Sequence, residues 1–138
     1  MSLTFLAAVA LLQGDNATTR RSVAESLELG RTMSDRRAAF TMDVLACLSA
    51  IEGGAERAVL LAGAASALHE GSGNTPPRIW DDFMSPYLQP AREALGPDGA
   101  RSAWEAGRRM DYEDALQMAL STVATYDSAT RPTPSAAR

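Results

Sequence analysis

Apolar positions recur at helical spacing along nearly the whole chain. The clearest run is L-A-C-L-S-A-I-E-G-G-A-E-R-A-V-L-L-A-G-A-A-S-A-L-H-E-G, from Leu45 to Gly71. It predicts a helix ending at Glu52, a turn on Gly53 and Gly54, and a second helix running back. Between Ala58 and Leu68 only Ser66 is polar. That stretch is shorter than the about 20 apolar residues a bilayer span needs. A helix apolar on every side is a buried one. Other helices must therefore flank it, and the rest of the chain has to supply them.

The same reading extends in both directions. A first helix is predicted over 3–13 and ends at Gly14. Asp15 caps a second, which runs to about Arg31 with Val23 and Leu27 one turn apart. Ser34 or Asp35 caps a third, whose inward stripe is Phe40, Val44, Leu48 and Ile51. The fourth covers 55–70. Residues 71–77, G-S-G-N-T-P-P, form the one clear internal loop. Residues 79–95 then carry Trp80, Phe83, Met84, Tyr87, Ala91 and Leu95 at helical spacing. Pro86 and Pro90 predict a kink there, or two short helices with Ser85 capping the second. Gly96 and Pro97 end the segment. A short helix follows around Trp104 and stops near Gly107. Asp111 caps the last helix, 112–126, with Asp114 placed to bond back to the cap. Residues 127–138 are polar and aperiodic and read as a disordered tail. No segment alternates as a strand would, so the fold predicted is all-α, with about seven helices in one domain.

A weak repeat has an offset of 39 residues. L-A-A-V-A-L-L-Q-G from Leu6 aligns with L-A-C-L-S-A-I-E-G from Leu45. Thr19, Val23 and Ser26 then align with Ala58, Ala62 and Ala65. Small residues recurring at such positions let helices of one pair, and of adjacent pairs, approach closely. The predicted architecture is thus tetratricopeptide-like: antiparallel pairs over 3–31 and 34–71 as an α-solenoid fragment, with a helical cap over 78–126.

Composition narrows the function classes. All 13 basic residues are arginine, and the net charge is −4. An acidic chain without a basic patch is a poor match to nucleic acid, so no direct nucleic-acid binding is expected. The arginine and alanine bias suits a high-GC bacterial genome. The apolar stretch from Thr4 to Leu12 has no preceding basic residue, and Gln13-Gly14-Asp15 is a poor cleavage site, so it reads as a packed helix and not a signal peptide. A cytoplasmic protein with no membrane span is the expectation. In a repeat array the outer face of this helix would be covered by a preceding pair. The isolated chain is expected to cover it by forming a homodimer.

The motif order from Asp43 to Leu120 resembles the helical-repeat C-terminal region of large bacterial signal-transduction ATPases. These include LuxR-type transcriptional regulators and relatives with adenylate-cyclase or winged-helix output domains. The matching features are Leu45-Ala46, the Gly53-Gly54 turn, Glu56-Arg57-Ala58, Leu61-Ala62-Gly63-Ala64-Ala65 and the glycine-proline loop. Ala94-Leu95-Gly96, Ala103-Trp104-Glu105-Ala106-Gly107-Arg108 and Asp111-Tyr112-Glu113-Asp114-Ala115 follow in order. Pro86 and Pro90 depart from the pattern, which more often has a plain helix there. The resemblance implies a non-catalytic sensor or protein-interaction module that restrains an ATPase. Its partner would be another domain of the regulator or a signalling protein.

Candidate chemistry is sparse. The chain has no G-x-x-x-x-G-K-[ST] phosphate loop. His69 is the only histidine and Cys47 the only cysteine, too few for a usual zinc site. No cofactor, metal or catalytic residue is expected. His69 lies at a helix C-terminus, where the dipole favours a cation. Cys47 reads as a small buried hydrophobe. Asp81-Asp82 and Asp111, Glu113 and Asp114 begin helices, where acids suit the dipole. Arg20-Arg21, Arg36-Arg37 and Arg108-Arg109 read as solvated faces. The aromatic residues are expected mainly in the core. Trp80, Tyr87, Trp104 and Arg108 are the candidate groove for a ligand or partner. The alternative function is a helical domain binding a small apolar ligand between the repeat and the tryptophan-bearing helices.

Overall fold

The computed structural model describes residues 3–30, 35–71, 73 and 76–130. It contains six helical elements: α1 (Leu3–Leu12), α2 (Asn16–Gly30), α3 (Asp35–Ile51), α4 (Ala55–Gly71), α5 (Arg78–Arg108) and α6 (Tyr112–Thr130). No strand occurs among the described residues, and the fold is all-α. None of these helices is long and apolar enough to cross a membrane.

Two turns are built alike. Gly14 has φ of 76° and Gly53 has φ of 88°, a region open to glycine at little cost. After α1, the Gly14 amide bonds the Leu11 carbonyl at 3.1 Å, and the Asp15 amide bonds Ala10 at 2.9 Å. After α3, the Gly53 amide bonds Ala50 at 3.3 Å, and the Gly54 amide bonds Ser49 at 2.8 Å. Both are Schellman closures, and each partner lies 39 residues from its counterpart. Thr19, Val23 and Ser26 are buried on α2, as are Ala58, Ala62 and Ala65 on α4.

Helix starts follow the capping acids. Asp15 accepts the Thr18 amide at 3.1 Å and the Thr18 hydroxyl at 2.6 Å, and these bonds hold its carboxyl below the ordinary range. Asp111 accepts the Asp114 amide at 2.8 Å. The cap expected at Ser34 lies outside the described residues, and α3 begins at Asp35.

The core threads through every element. Val23 and Leu27 of α2, Met42, Leu45 and Leu48 of α3, Val59 and Leu61 of α4, Leu88 of α5 and Leu116 of α6 are buried together. The α4 helix, apolar from Ala58 to Ala65, lies against α3 and α5. Cys47 is buried, and desolvation pushes its thiol well up. At the junction of α1, α2 and α3 the apolar packing admits three hydroxyls. Thr41 lies 2.8 Å from Thr4 and 2.7 Å from Ser26, and Thr4 lies 3.4 Å from Ser26.

Several expectations need correction. Pro86 and Pro90 do not break the helix: the single non-helical residue inside α5 is Gly96, at φ 77° and ψ 166°. The carbonyls that the two prolines leave without donors belong to Asp82 and Pro86. Both residues are exposed, so water can take the place of the missing bonds. Gly96 instead divides α5 into a first arm, 78–95, and a second arm, 97–108, with Pro97 at the start of the latter. Ser85 caps nothing. Ile51 was expected to face inward and is 44% exposed. α6 runs on to Thr130, through residues expected in the tail. Residues 127–130 contain no proline or glycine to stop a helix, and the first proline beyond is Pro132. The remainder of the tail lies outside the described residues. On α1, Ala7, Ala8, Ala10 and Leu11 are buried, while Phe5, Leu6 and Leu12 are exposed at 57%, 40% and 64%.

Candidate functional site

The approach of α4 to the second arm of α5 sets the site. Gly63 and Gly107 are the contact points. A Cβ added at Gly63 would fall inside contact distance of the Trp104 carbonyl oxygen and 3.1 Å from its carbon. One added at Gly107 would collide with the Leu60 carbonyl oxygen and lie 2.9 Å from the Ala64 nitrogen. Glycine at both places lets two backbones touch. Trp104 is thereby fixed over α4. Gly107 lies one residue before the end of α5 at Arg108, close to the stop read from sequence, and it is also a contact point with α4.

The first arm of α5 stays on α4 and α3 from another direction, and a cleft of about 520 Å³ opens between them. Its floor is apolar: Ala62 from α4, with Met84 and Leu88 from α5. Trp80 and Trp104 stand in its walls. Both are half-buried. Polar groups complete much of the lining, with Ser66, His69 and Glu70 on α4, Asp43 on α3, and Asp81, Ser85 and Arg92 on α5, beside Gly73 and Pro76 of the loop.

Asp43 is the unexpected member. The side chains of Asp43 and His69 are each only 6% exposed, with Oδ2 2.9 Å from Nε2. The Trp80 indole donates to the same oxygen at 2.8 Å. Phe40 packs edge-on against both rings, 4.5 Å from His69 and 5.1 Å from Trp80 between centroids. Desolvation raises the Asp43 carboxyl above its ordinary range, against the bonds from His69 and Trp80, which act to lower it. This arrangement ties α3, α4 and the start of α5 at one point. His69 lies in the last turn of α4, as expected, and is also a buried partner of Asp43.

The other candidates separate. Trp80 and Trp104 line the cleft. Tyr87 does not; it packs against Phe83 at 5.8 Å, and burial pushes its hydroxyl up. Arg108 reaches α4 beside the cleft, donating to Ser66 at 3.0 Å and pairing with Glu70 at 2.6 Å. Ser66 thus accepts at its hydroxyl from an arginine of α5. Arg92 lies over the Trp104 ring, 5.4 Å from its centroid.

The arginine pairs also resolve unequally. Arg20 is buried and pairs with Glu52 at 3.4 Å, so it is not on a solvated face. Arg21 and Arg109 are exposed, while the Arg36 and Arg37 side chains lie outside the described residues. Asp81 lies in the first turn of α5, and Glu113 and Asp114 in that of α6. Among the described residues no cluster of three or more histidine, cysteine, aspartate or glutamate side chains could hold a metal ion.

Sequence reasoning missed Asp43 and Arg92. Asp43 had a usable signal: it is the one acid within F-T-M-D-V-L-A-C-L, in a stretch otherwise patterned for burial. Arg92 had none, because an arginine on a helix is ordinarily a surface residue. Comparison with known protein families, with characterised proteins and with solved structures finds no match to this chain.

Proposed function

We propose that this chain is a non-catalytic sensor module of a bacterial transcriptional regulator or signalling ATPase, and that its sensing element is the cleft between α4 and the two arms of α5. The observation that carries the reading is the cleft itself, about 520 Å³ with both tryptophans of the chain in its walls. That volume falls within the range of about 300–1,000 Å³ for small-molecule sites. The mixture is also that of such sites: an apolar floor, aromatic walls and a few polar groups that converge. The combination of motifs from Asp43 to Leu120 supplies the regulatory context. A ligand seated here would touch α3, α4 and both arms of α5, so its binding energy would bear on how these helices sit together.

A thermal-shift screen with a library of small metabolites tests this. A ligand present at 100 times its Kd stabilises by about 2.7 kcal/mol, which for a domain of this size raises Tm by roughly 8 °C. Ser85 is exposed and lines the cleft, so Ser85→Phe narrows the mouth without entering the core. The expected result is a saturable shift in the wild type and a much smaller one in Ser85→Phe, whose own Tm stays close to wild type. A library that yields no saturable binder, or a binder indifferent to Ser85→Phe, overturns the proposal.

A further inference from the structure

The cleft presents one positive charge among the described residues that line it and have no acidic partner: Arg92. Its guanidinium rests over Trp104, which leaves the edge of the planar fork available for a ligand. The negative charges are differently placed. Asp43 is buried, and one of its oxygens already accepts from His69 and Trp80. Glu70 is neutralised by Arg108. Asp81 is exposed and lies in the first turn of α5. The rise of 1.5 Å per residue puts it about 16 Å along the helix from Arg92. The cleft is therefore polarised, cationic at the Trp104 end and acidic at the mouth near Trp80. Met84 and Leu88 lie on the α5 surface between those ends.

From this polarity we infer that the cleft takes an apolar carboxylate. Its carboxylate group meets the Arg92 fork, and its hydrocarbon or aromatic body lies along Leu88, Met84 and Trp80. A carboxylate is the planar anion that a guanidinium fork binds through two parallel hydrogen bonds. A cationic ligand is disfavoured at this end for two reasons: Arg92 already covers a face of Trp104, and its charge repels. The inference rests on the sensor-cleft reading above and adds the chemical class of the ligand.

Three probes with one body and different charge make the test: phenylpropionate, phenylpropanamide and phenylpropylamine. Both tryptophans of the chain line the cleft, so indole emission on selective excitation reports occupancy directly. Phenylpropionate is expected to give a saturable change and to bind at least tenfold more tightly than the amide or the amine. Arg92→Gln should reduce its affinity at least tenfold, to the level of the amide, and Arg92→Lys should fall between. Circular dichroism checks that both variants remain helical, and the charge series on the wild type stands by itself if one does not. Amide or amine binding as tight as the carboxylate overturns the anionic class and leaves the cleft reading intact. Carboxylate binding that is unchanged in a folded Arg92→Gln overturns it too. Failure of all three probes to change the emission counts against the cleft and its ligand class together.

Discussion

Gly63→Ala is expected to destabilise the domain by about 2 kcal/mol, although alanine is the better helix former. In a helix interior the exchange normally gains about 0.5–1 kcal/mol. Here the added methyl meets the Trp104 carbonyl oxygen, an atom of the main chain that cannot rotate away. The helices must separate, and overpacking of that kind costs typically about 1–3 kcal/mol, occasionally more. Gly107→Ala strikes the same crossing from the other helix, against Leu60 and Ala64. The double variant should cost less than the sum, because a separation made for one methyl serves the other. Gly71→Ala is the control, since a Cβ there meets nothing within 4 Å. Urea unfolding measures all four. If Gly63→Ala and Gly107→Ala unfold within about 0.5 kcal/mol of the wild type, α4 and the second arm of α5 are not in backbone contact.

Asp43→Ala is expected to cost about 2–4 kcal/mol, since each buried donor that loses its acceptor costs about 1–3 kcal/mol. It strands the His69 ring and the Trp80 indole, both of which now meet Asp43 Oδ2. Total stability of a domain is only about 5–15 kcal/mol, so the loss is a large fraction of it. Asp43→Asn separates charge from hydrogen bonding. Burial raises the folded carboxyl above its ordinary value of 3.8. As pH rises through 3.8, the unfolded chain therefore releases its proton first. The contribution of Asp43 is full below 3.8 and is lost as pH rises toward the folded value. Asparagine has no proton to release, so the stability of Asp43→Asn relative to wild type should improve across that window. Melting curves at several acidic pH values decide the matter. A difference between the two proteins that does not change with pH would show that Asp43 does not titrate as its burial requires.

The local parts of this fold were legible because their causes are local. Asp15 and Asp111 cap helices by bonding amides three residues on, and Gly14 and Gly53 close helices by adopting a positive φ. Each can be read in a window of a few residues. The apolar α4 was legible too, since only burial accommodates Ala58, Val59, Leu61 and Ala62 in one turn. What was missed involves partners distant in sequence. His69 lies 26 residues from Asp43, and Trp80 lies 37. Without the packing, His69 at the end of α4 looks like a charge on a dipole. Gly107 was placed correctly near a helix end, since α5 stops at Arg108, but its contact with Leu60 on another helix is not legible in a short window. Pro86 and Pro90 were misjudged because a periodicity reading does not weigh where a lost bond points. The site inherits this division. Trp80 and Trp104 announce themselves by size, whereas the Arg92 placement follows from where Gly63 lets Trp104 sit.

The hydroxyls of Thr4, Ser26 and Thr41 have a consequence for how this sequence can drift. Each hydroxyl has one proton to give, and the 2.7–3.4 Å triangle lets them share those protons across three helices. Thr41 meets both of the others, so Thr41→Val removes the two short contacts at once and leaves Thr4 and Ser26 only the one at 3.4 Å, at a cost of about 1–3 kcal/mol. Replacing all three removes every hydroxyl of the triangle together and should cost less than the sum of the single losses. Thr4→Val, Ser26→Ala and Thr41→Val should each lower the Tm, and the triple variant should lose less than their sum; additive losses would show that the three hydroxyls act separately. Once one hydroxyl is gone, the others cost less to replace. Homologous chains are then expected to show these positions, 22 and 15 residues apart, changing together or not at all.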